Sequence, residues 1–512
     1  MTIPIKLPAK GVAADAIAAI VPPLPTPAST KIGIIGVGLK MHFVWKDAVA
    51  NYKRAQQRIR SSWRGTPFEL VAPSEIYESA ESVIAAATKL KAEGISGLIL
   101  FHGSYTAGEI GSQLGRWLND NRLPLLSWAF PEPKGGRLTA NSLCCQNFIL
   151  NALHRLGVRY QWMFKSIDDD STPELLLRFG RCVRARARMI NGMLLHLGSG
   201  RVPGFYDAEA DELAVFKRFG LRFDRVDFVQ VFDRAKKYTT RQLRSVMKAM
   251  VKAPNCGYNN VNEQQFFQTI RLALGTLEIA AEQNYIGSSI RCWPDLWDHW
   301  GCAADGALSL INDQGLPAAD ETDMNGLISM MAMHLVSEGE AVTTLTDISL
   351  LDPPKNCLGL WHCGGSATRL VRAGTKFETR RHSIMENANE ATAVGMLVEF
   401  LLELGPVTLT RYLAPDSSHA FLFEGNIVES PMAFRGSYAE VEPVGPASAA
   451  QIMGTILDKG LDHHWVTGRG HFAADLRQLN HLLGVQEEPV TNPGDCHGLS
   501  QPREHDAEAL TY

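Results

Sequence analysis

The chain has 512 residues, 45% of them hydrophobic and 20% charged, with a formal net charge of −4. That length exceeds one ordinary core and predicts a soluble globular protein of two to four domains. Lysine and arginine are dispersed, so nothing in the charge balance points to nucleic acid, and the locally basic RCVRARAR at 181–188 reads as a solvated helix face. No stretch of about eighteen apolar residues runs uninterrupted, so no membrane span is expected. Near the start, Asp15 breaks an apolar stretch that Pro22, Pro23 and Pro25 follow, which does not read as a signal peptide. Nine cysteines without a repeated CxxC spacing suit a reduced, cytoplasmic protein better than a disulfide framework.

After an N-terminal extension (1–30), strand and helix alternate. KIGIIGVG, FELVAP, GLILFHGSY and PLLSWAFPEP read as strands, separated by amphipathic helices such as KDAVANYKRAQQRIRSSW. Alternation of this kind predicts a parallel sheet covered on both faces, an N-terminal α/β domain over 31–175. Ligands of such sheets collect at the carboxyl ends of strands, where His102, Ser104 and Tyr105 fall. GIIGVG has the glycine order G-x-x-G-x-G, not the dinucleotide fingerprint, so a nucleotide cofactor is not expected.

A second α/β domain is expected over 176–350. It begins with MINGMLLHLGSGRVPGFYD, continues through a helix in ADELAVFKRFG and a strand in FDRVDFVQVF, and ends with a helix in DETDMNGLISMMAMHLVS and a strand in AVTTLTDIS. Beyond 350 the runs shorten: CLGLWHC, PVTLTRYLAP, AFLFEGNIVES and LDHHWVTGRGHF predict a β-rich domain, a barrel, over 351–486. EATAVGMLVEFLLELG (390–405) and ADLRQLNHLLG read as helices within it, and 487–512 as a polar tail.

Metal-capable side chains are spread through the last two hundred residues. They are Glu321 in DETDM, Asp347 in TLTDIS, His362 in LWHCGG, and His463 and His464 in LDHHW. Two carboxylates with one or two imidazoles suit Mn²⁺ or Mg²⁺, and leave a carboxylate to move a proton. Asp323 reads as a first-turn acid complementing a helix dipole. Adjacent side chains on a strand face opposite ways, so only one of His463 and His464 can enter a given pocket. Trp361 is either a core aromatic or the apolar wall of a sugar site. Arg469 and His471 follow the histidine pair, and an arginine there either meets solvent or an anionic substituent.

Glu-x-Asp-Met, a strand ending in Asp, WHCGG and a late HH together resemble the L-fucose isomerase/L-arabinose isomerase superfamily. PLLSWAFPEPKGGRLTANSLC (124–144) and RVPGFYD (201–207) extend the likeness over about 30–485. The resemblance implies two Rossmann-like α/β domains and a C-terminal β-barrel. It also implies a metal-dependent aldose–ketose isomerase working on an open-chain sugar through an enediolate. Glu321 and Asp347 would be acid/base and metal-binding carboxylates, His464 or His463 the late ligand, and His362 a further one. Mn²⁺ would be the ion, with Mg²⁺ or another divalent metal as substitutes. The chain would form a homo-oligomer, a trimer or hexamer with sites at subunit interfaces, where His102, Ser104 and Tyr105 reach a neighbour's sugar. A silent sugar-binding or regulatory homologue and a nucleotide-dependent oxidoreductase are the competing readings.

Overall fold

The computed structural model describes residues 7–389 and 392–491, so the first six residues of the expected extension and the tail beyond 491 lie outside it. The chain divides into two compact units. One comprises 26–188 with 475–484, and the other holds the remainder.

In the 26–188 unit, β1 (Thr30–Val37), β2 (Phe68–Val71), β3 (Ile76–Tyr77), β4 (Gly97–His102), β5 (Leu125–Ala129) and β6 (Tyr160–Phe164) form one parallel sheet. Its order is β2-β1-β4-β5-β6, with β3 also on β1. Successive side chains alternate faces. Ile99 and Phe101 therefore join one apolar cluster with Ile34 and Trp128, while Leu98 and Leu100 join another with Ile35 and Leu125. Both faces are apolar, as a parallel sheet covered by helices requires. Gly33 and Gly36 lie inside β1 and not in a phosphate-binding turn. A Cβ on Gly36 would stand 2.6 Å from Ile76 and 2.8 Å from Tyr52, so close packing accounts for that glycine.

The second unit begins with β7 (Met193–Leu197), β8 (Arg222–Val226), β9 (Cys256–Asn259), β10 (Tyr285–Ile290) and β11 (Ala318–Ala319). It continues with β12 (Thr343–Asp352), β13 (Cys357–His362), β14 (Phe377–Arg381), β15 (Gly395–Leu401) and β16 (Gly405–Tyr412). It ends with β17 (His419–Val428), β18 (Ser437–Val444), β19 (His464–Arg469) and β20 (Gln486–Glu487). Four of these make a parallel sheet, β11-β10-β7-β8, and the others make one mixed sheet. Within the mixed sheet β17-β16-β19-β12-β13-β18 are antiparallel neighbours, and β18 pairs back onto β17. These six strands thus pair in a closed cycle, which leaves no free edge among them. The fold is α/β, with two parallel sheets and one large mixed sheet.

Residues 189–474, most of the expected second α/β block and β-rich block, fall in this one unit, with a single apolar core through Leu195, Ile270, Leu308, Leu358, Val398 and Trp465, while 176–188 and 475–484 belong to the other. Ala13, Ile17 and Val21 of the N-terminal segment enter the same core. Two expected elements differ. Within 390–405 the helix is replaced by strand β15, whose residues 395–400 are all buried. Helix-favouring Leu, Met and Glu yield there to pairing with β14 and β18. FDRVDFVQVF is a strand only to Val226. Phe228, Val231, Phe232 and Ala235 then bury one face of helix Phe228–Ala235 at helical spacing.

Helix Asp305–Asp313 ends on a buried acid. Asp313 accepts from the Thr368 hydroxyl at 2.6 Å and the Arg369 amide at 3.3 Å. Burial pushes its carboxyl up to about 6, against the opposing bonds from Thr368 and Arg369 and the Arg369 charge. Between the ordinary aspartate value near 3.9 and 6, the folded chain keeps a proton that the unfolded chain has lost. The stability from this group is complete below about pH 4 and lost as the pH rises to 6, a loss of roughly 3 kcal/mol. Urea denaturation across that range should show a shallower decline in Asp313→Asn. An unchanged decline would assign the effect elsewhere.

Candidate active site

The sequence places Asp323 just ahead of helix Met324–Val336, and its Oδ1 accepts from the Gly326 amide at 2.8 Å as an N-cap. That confirms the helix-start reading and accounts for one oxygen only. Oδ2 meets Nδ1 of His464 at 2.9 Å and also accepts from the Arg411 guanidinium. Arg411, fully buried on β16, further donates to Asp462 at 2.8 Å and to the Asp207 carbonyl at 2.8 Å. A buried guanidinium between two carboxylates is what low dielectric demands of such a charge.

His464, the first residue of β19, has its other nitrogen aimed at acids. Nε2 stands 2.8 Å from Glu321 Oε2 and 3.7 Å from Asp347 Oδ1. Asp347 on β12 pairs directly with His464 on one side and with Trp361 on the other, so the three form a row across neighbouring strands. Asp347 Oδ1 is buried with no hydrogen-bond partner among the described residues. His362, the last residue of β13, has a ligand atom within 4.8 Å of those of Glu321 and His464. His463 is half exposed and its Nδ1 meets Asp207 at 2.6 Å. Phe205 packs edge-on against both imidazoles of the pair. The Trp361 indole donates to the Arg435 carbonyl at 2.8 Å.

Glu321 reaches this point through an unusual backbone. Glu321 and Thr322 both have left-handed φ, 58° and 53°, a conformation that costs a non-glycine residue about 1–3 kcal/mol. Three bonds hold it. The Glu321 amide donates to Asp320 Oδ1 at 2.8 Å, the Thr322 amide to the Ile290 carbonyl at 3.0 Å, and the Thr322 hydroxyl to the Gly200 carbonyl at 3.2 Å. Strain of this kind persists where surrounding structure over-determines it, commonly at functional sites.

The charges follow from the contacts. Burial disfavours an imidazolium at His464, but its bonds to Asp323 and Glu321 outweigh that and hold it well above its ordinary value. Burial likewise raises Glu321, and the His464 bond and charge reverse the sign, leaving it lowered. Asp323 is driven up by burial and then down to about 2 by the Arg411 charge and the His464 bond. Asp320 goes the other way. Burial, with the nearby Asp305 and Glu321 charges, pushes it well above the usual carboxylate range.

The structure therefore brings together Glu321, Asp347, His362, His464, His463 and Trp361 from distant segments. His102, Ser104 and Tyr105 lie in the 26–188 unit. His102 is fully buried, meeting Ser127 at 2.8 Å and Cys145 at 3.4 Å, and burial lowers it to about 3. The Ser104 hydroxyl accepts from the Leu39 amide at 3.0 Å, and Tyr105 stacks on Phe148. Arg469 meets neither solvent nor the site. It is 9% exposed and bonds the Pro406 carbonyl at 3.1 Å, and five residues of strand separate it from His464 by about 16 Å. His471 contacts the Gly425 carbonyl at 3.2 Å. A cavity of about 710 Å³ beside β6, lined among others by Trp162, Arg159 and His481, contains no carboxylate and none of the expected site residues.

Sequence reasoning missed Asp207, Asp320, Arg411 and Asp462. A lone arginine in the strand-like run PVTLTRYLAP was the available signal, since a charge in a buried strand needs partners.

No family model matches the chain. It is similar to several proteins named sulfoquinovose isomerase. One, from Alkalicoccus urumqiensis, is 27% identical over 366 residues, 71% of this chain and 80% of that protein. Another, from Priestia aryabhattai, is 24% identical over 429 residues, 83% of this chain and 92% of the relative. A third, from Clostridium sp. (strain MSTE9), is 26% identical over 374 residues, covering 71% and 80%. The chain is an enzyme, an isomerase acting on sugars.

Arg411→Leu would leave Asp323 and Asp462 buried without their cation. A loss of about 3–5 kcal/mol in chemical denaturation is expected. A loss below about 1 kcal/mol would contradict the pairing described above.

Proposed function

We propose that the chain is a metal-dependent aldose–ketose isomerase acting on an open-chain sulfonated sugar, sulfoquinovose or a near relative. The reaction rests on one observation above others: a single nitrogen of His464 lies 2.8 Å from Glu321 and 3.7 Å from Asp347. The sugar class rests on what the relatives are named for.

These side chains fit a divalent cation. Asp347 Oδ1 is buried and unpartnered, and the donors are carboxylate oxygens and imidazole nitrogens, a set suited to Mn²⁺ and also to Mg²⁺. Glu321, Asp347 and His464 would hold the ion, with His362 as the further ligand. Bound there, it would draw charge from the sugar's oxygens and ease loss of the C2 proton.

The chain's own groups move the proton. One of Glu321 and Asp347 takes it from C2 and returns it to C1 of the enediolate, while the other handles the hydroxyl proton. Burial raises the Glu321 carboxyl and the His464 bond and charge outweigh that and lower it, which suits it to accept a proton. Asp323 holds the His464 ring by Nδ1 and leaves Nε2 for the site. Arg291 offers a cation for a sulfonate. It follows β10 next to Ile290, whose carbonyl takes the Thr322 amide, and its Nε is buried with no hydrogen-bond partner among the described residues. Its Nη1 contacts Ser199 at 2.6 Å and Asp295 at 3.0 Å. On this reading the closed cycle of six strands is the β-barrel of the L-fucose isomerase/L-arabinose isomerase superfamily, and the chain forms a trimer or hexamer.

Ketose formation from sulfoquinovose, glucose, fucose and arabinose tests the proposal. Turnover of the sulfonated sugar should stop with chelator and return with Mn²⁺. Glu321→Gln should lower it at least about a hundredfold. Turnover indifferent to chelator, or intact in Glu321→Gln, would sink the mechanism, and preference for a neutral sugar would sink the substrate assignment.

A further inference from the structure

A second set of ligand-capable side chains converges on Asp305. Asp305 opens helix Asp305–Asp313, Cys363 follows β13, and His382 follows β14. Each offers one ligand atom, and the three atoms lie within 4.8 Å of one another. They come from three separate elements, so no short motif announces them.

Burial makes the cluster hard to explain as packing. Asp305 is 1% exposed and His382 4% exposed. Asp305 Oδ1 and His382 Nδ1 are both buried with no hydrogen-bond partner among the described residues. Asp305 does not cap its helix. Ala304 occupies that position and no side-chain cap bond is made. A carboxylate oxygen and an imidazole nitrogen removed from water and unpaired are costly, and a shared partner would relieve both. The His382 ring is held edge-on against Trp297, with centroids 5.1 Å apart, which restricts where its nitrogens can point.

We propose that Asp305, Cys363 and His382 form a second cation site, separate from the oxygen- and imidazole-based set at Glu321, Asp347 and His464. A thiolate, an imidazole and a carboxylate match a borderline ion that accepts sulfur, Zn²⁺ foremost. Asp320, with a ligand atom within 4.8 Å of one on Asp305, stands where a fourth ligand would come from. Binding takes the Cys363 thiol as thiolate, and the displaced proton leaves to solvent. An ion there would tie together the segments carrying Asp320–Glu321 and His362, and so brace the first site. The inference does not depend on which sugar the enzyme uses.

Sulfur separates the two sites experimentally. Full-length protein loaded with Co²⁺ should show a thiolate-to-cobalt charge-transfer band, because the Glu321 set contains no sulfur. Mass spectrometry of native protein loaded with Zn²⁺ should count two ions per chain. Cys363→Ser should abolish the band and one ion, and Asp305→Asn and His382→Gln should each weaken Zn²⁺ binding at least tenfold. Glu321→Gln should keep the band, which distinguishes failure of the first site from failure of this one. Bound cobalt without a thiolate band, a band that survives Cys363→Ser, or a single ion removed by Glu321→Gln would overturn the proposal. So would protection of Cys363 from alkylation by sugar but not by Zn²⁺, which would assign the cluster to substrate.

Discussion

One carboxylate organises this site. Asp323 spends Oδ1 on the first turn of helix Met324–Val336 and Oδ2 on both Arg411 and His464. The helix start, the buried guanidinium and the imidazole are thereby fixed to a common point. Without Arg411 the carboxylate would sit uncompensated in low dielectric, and without Asp323 the His464 ring would lack the contact that directs Nε2 toward Glu321 and Asp347. The backbone adds a second constraint. The left-handed pair Glu321–Thr322 turns the chain sharply after β11, so the Glu321 carboxylate enters the site while Asp323 turns away to cap the helix. Three acids within four residues thus take three roles, with Asp320 accepting the amide that supports the turn.

Much of this was legible from the chain alone, because local pattern carries it. Alternating apolar strands and amphipathic helices predict parallel sheets, and Glu321, His362 and His464 stand beside strand ends, whereas Asp347, expected at a strand's end, lies in the middle of β12. Their convergence needed the superfamily resemblance, since nothing in local spacing connects residue 321 to residue 464. Asp323 shows the limit most clearly. Its local role is readable as a helix-start acid, yet its partners lie 88 and 141 residues away. Arg469 fails for the opposite reason. Proximity in sequence to His464 suggested a shared site, but an extended strand carries residues apart at about 3.3 Å each. Segment 390–405 was misread because its composition favours helix while its pairing favours strand.

The charge pattern gives the site a direction. Glu321 and Asp323 are held below their ordinary values and Asp320 and His464 above theirs, with the His464 ring between the first two. On the proposed reading, a cation would compete with a proton for Nε2, so its binding would release one there. Asp347 Oδ1, buried with no hydrogen-bond partner among the described residues, is the oxygen that the proposed cation would satisfy.

The central claim is that Asp323, through His464, prepares this site for a divalent ion. Calorimetric titration of Mn²⁺ into Asp323→Asn tests it directly, because asparagine keeps an oxygen for the Gly326 cap and replaces the Oδ2 that accepts from Arg411 and meets His464. The account predicts a folded variant whose Mn²⁺ affinity is about 10- to 100-fold weaker than that of the native chain. Undiminished affinity in a folded Asp323→Asn variant would contradict it.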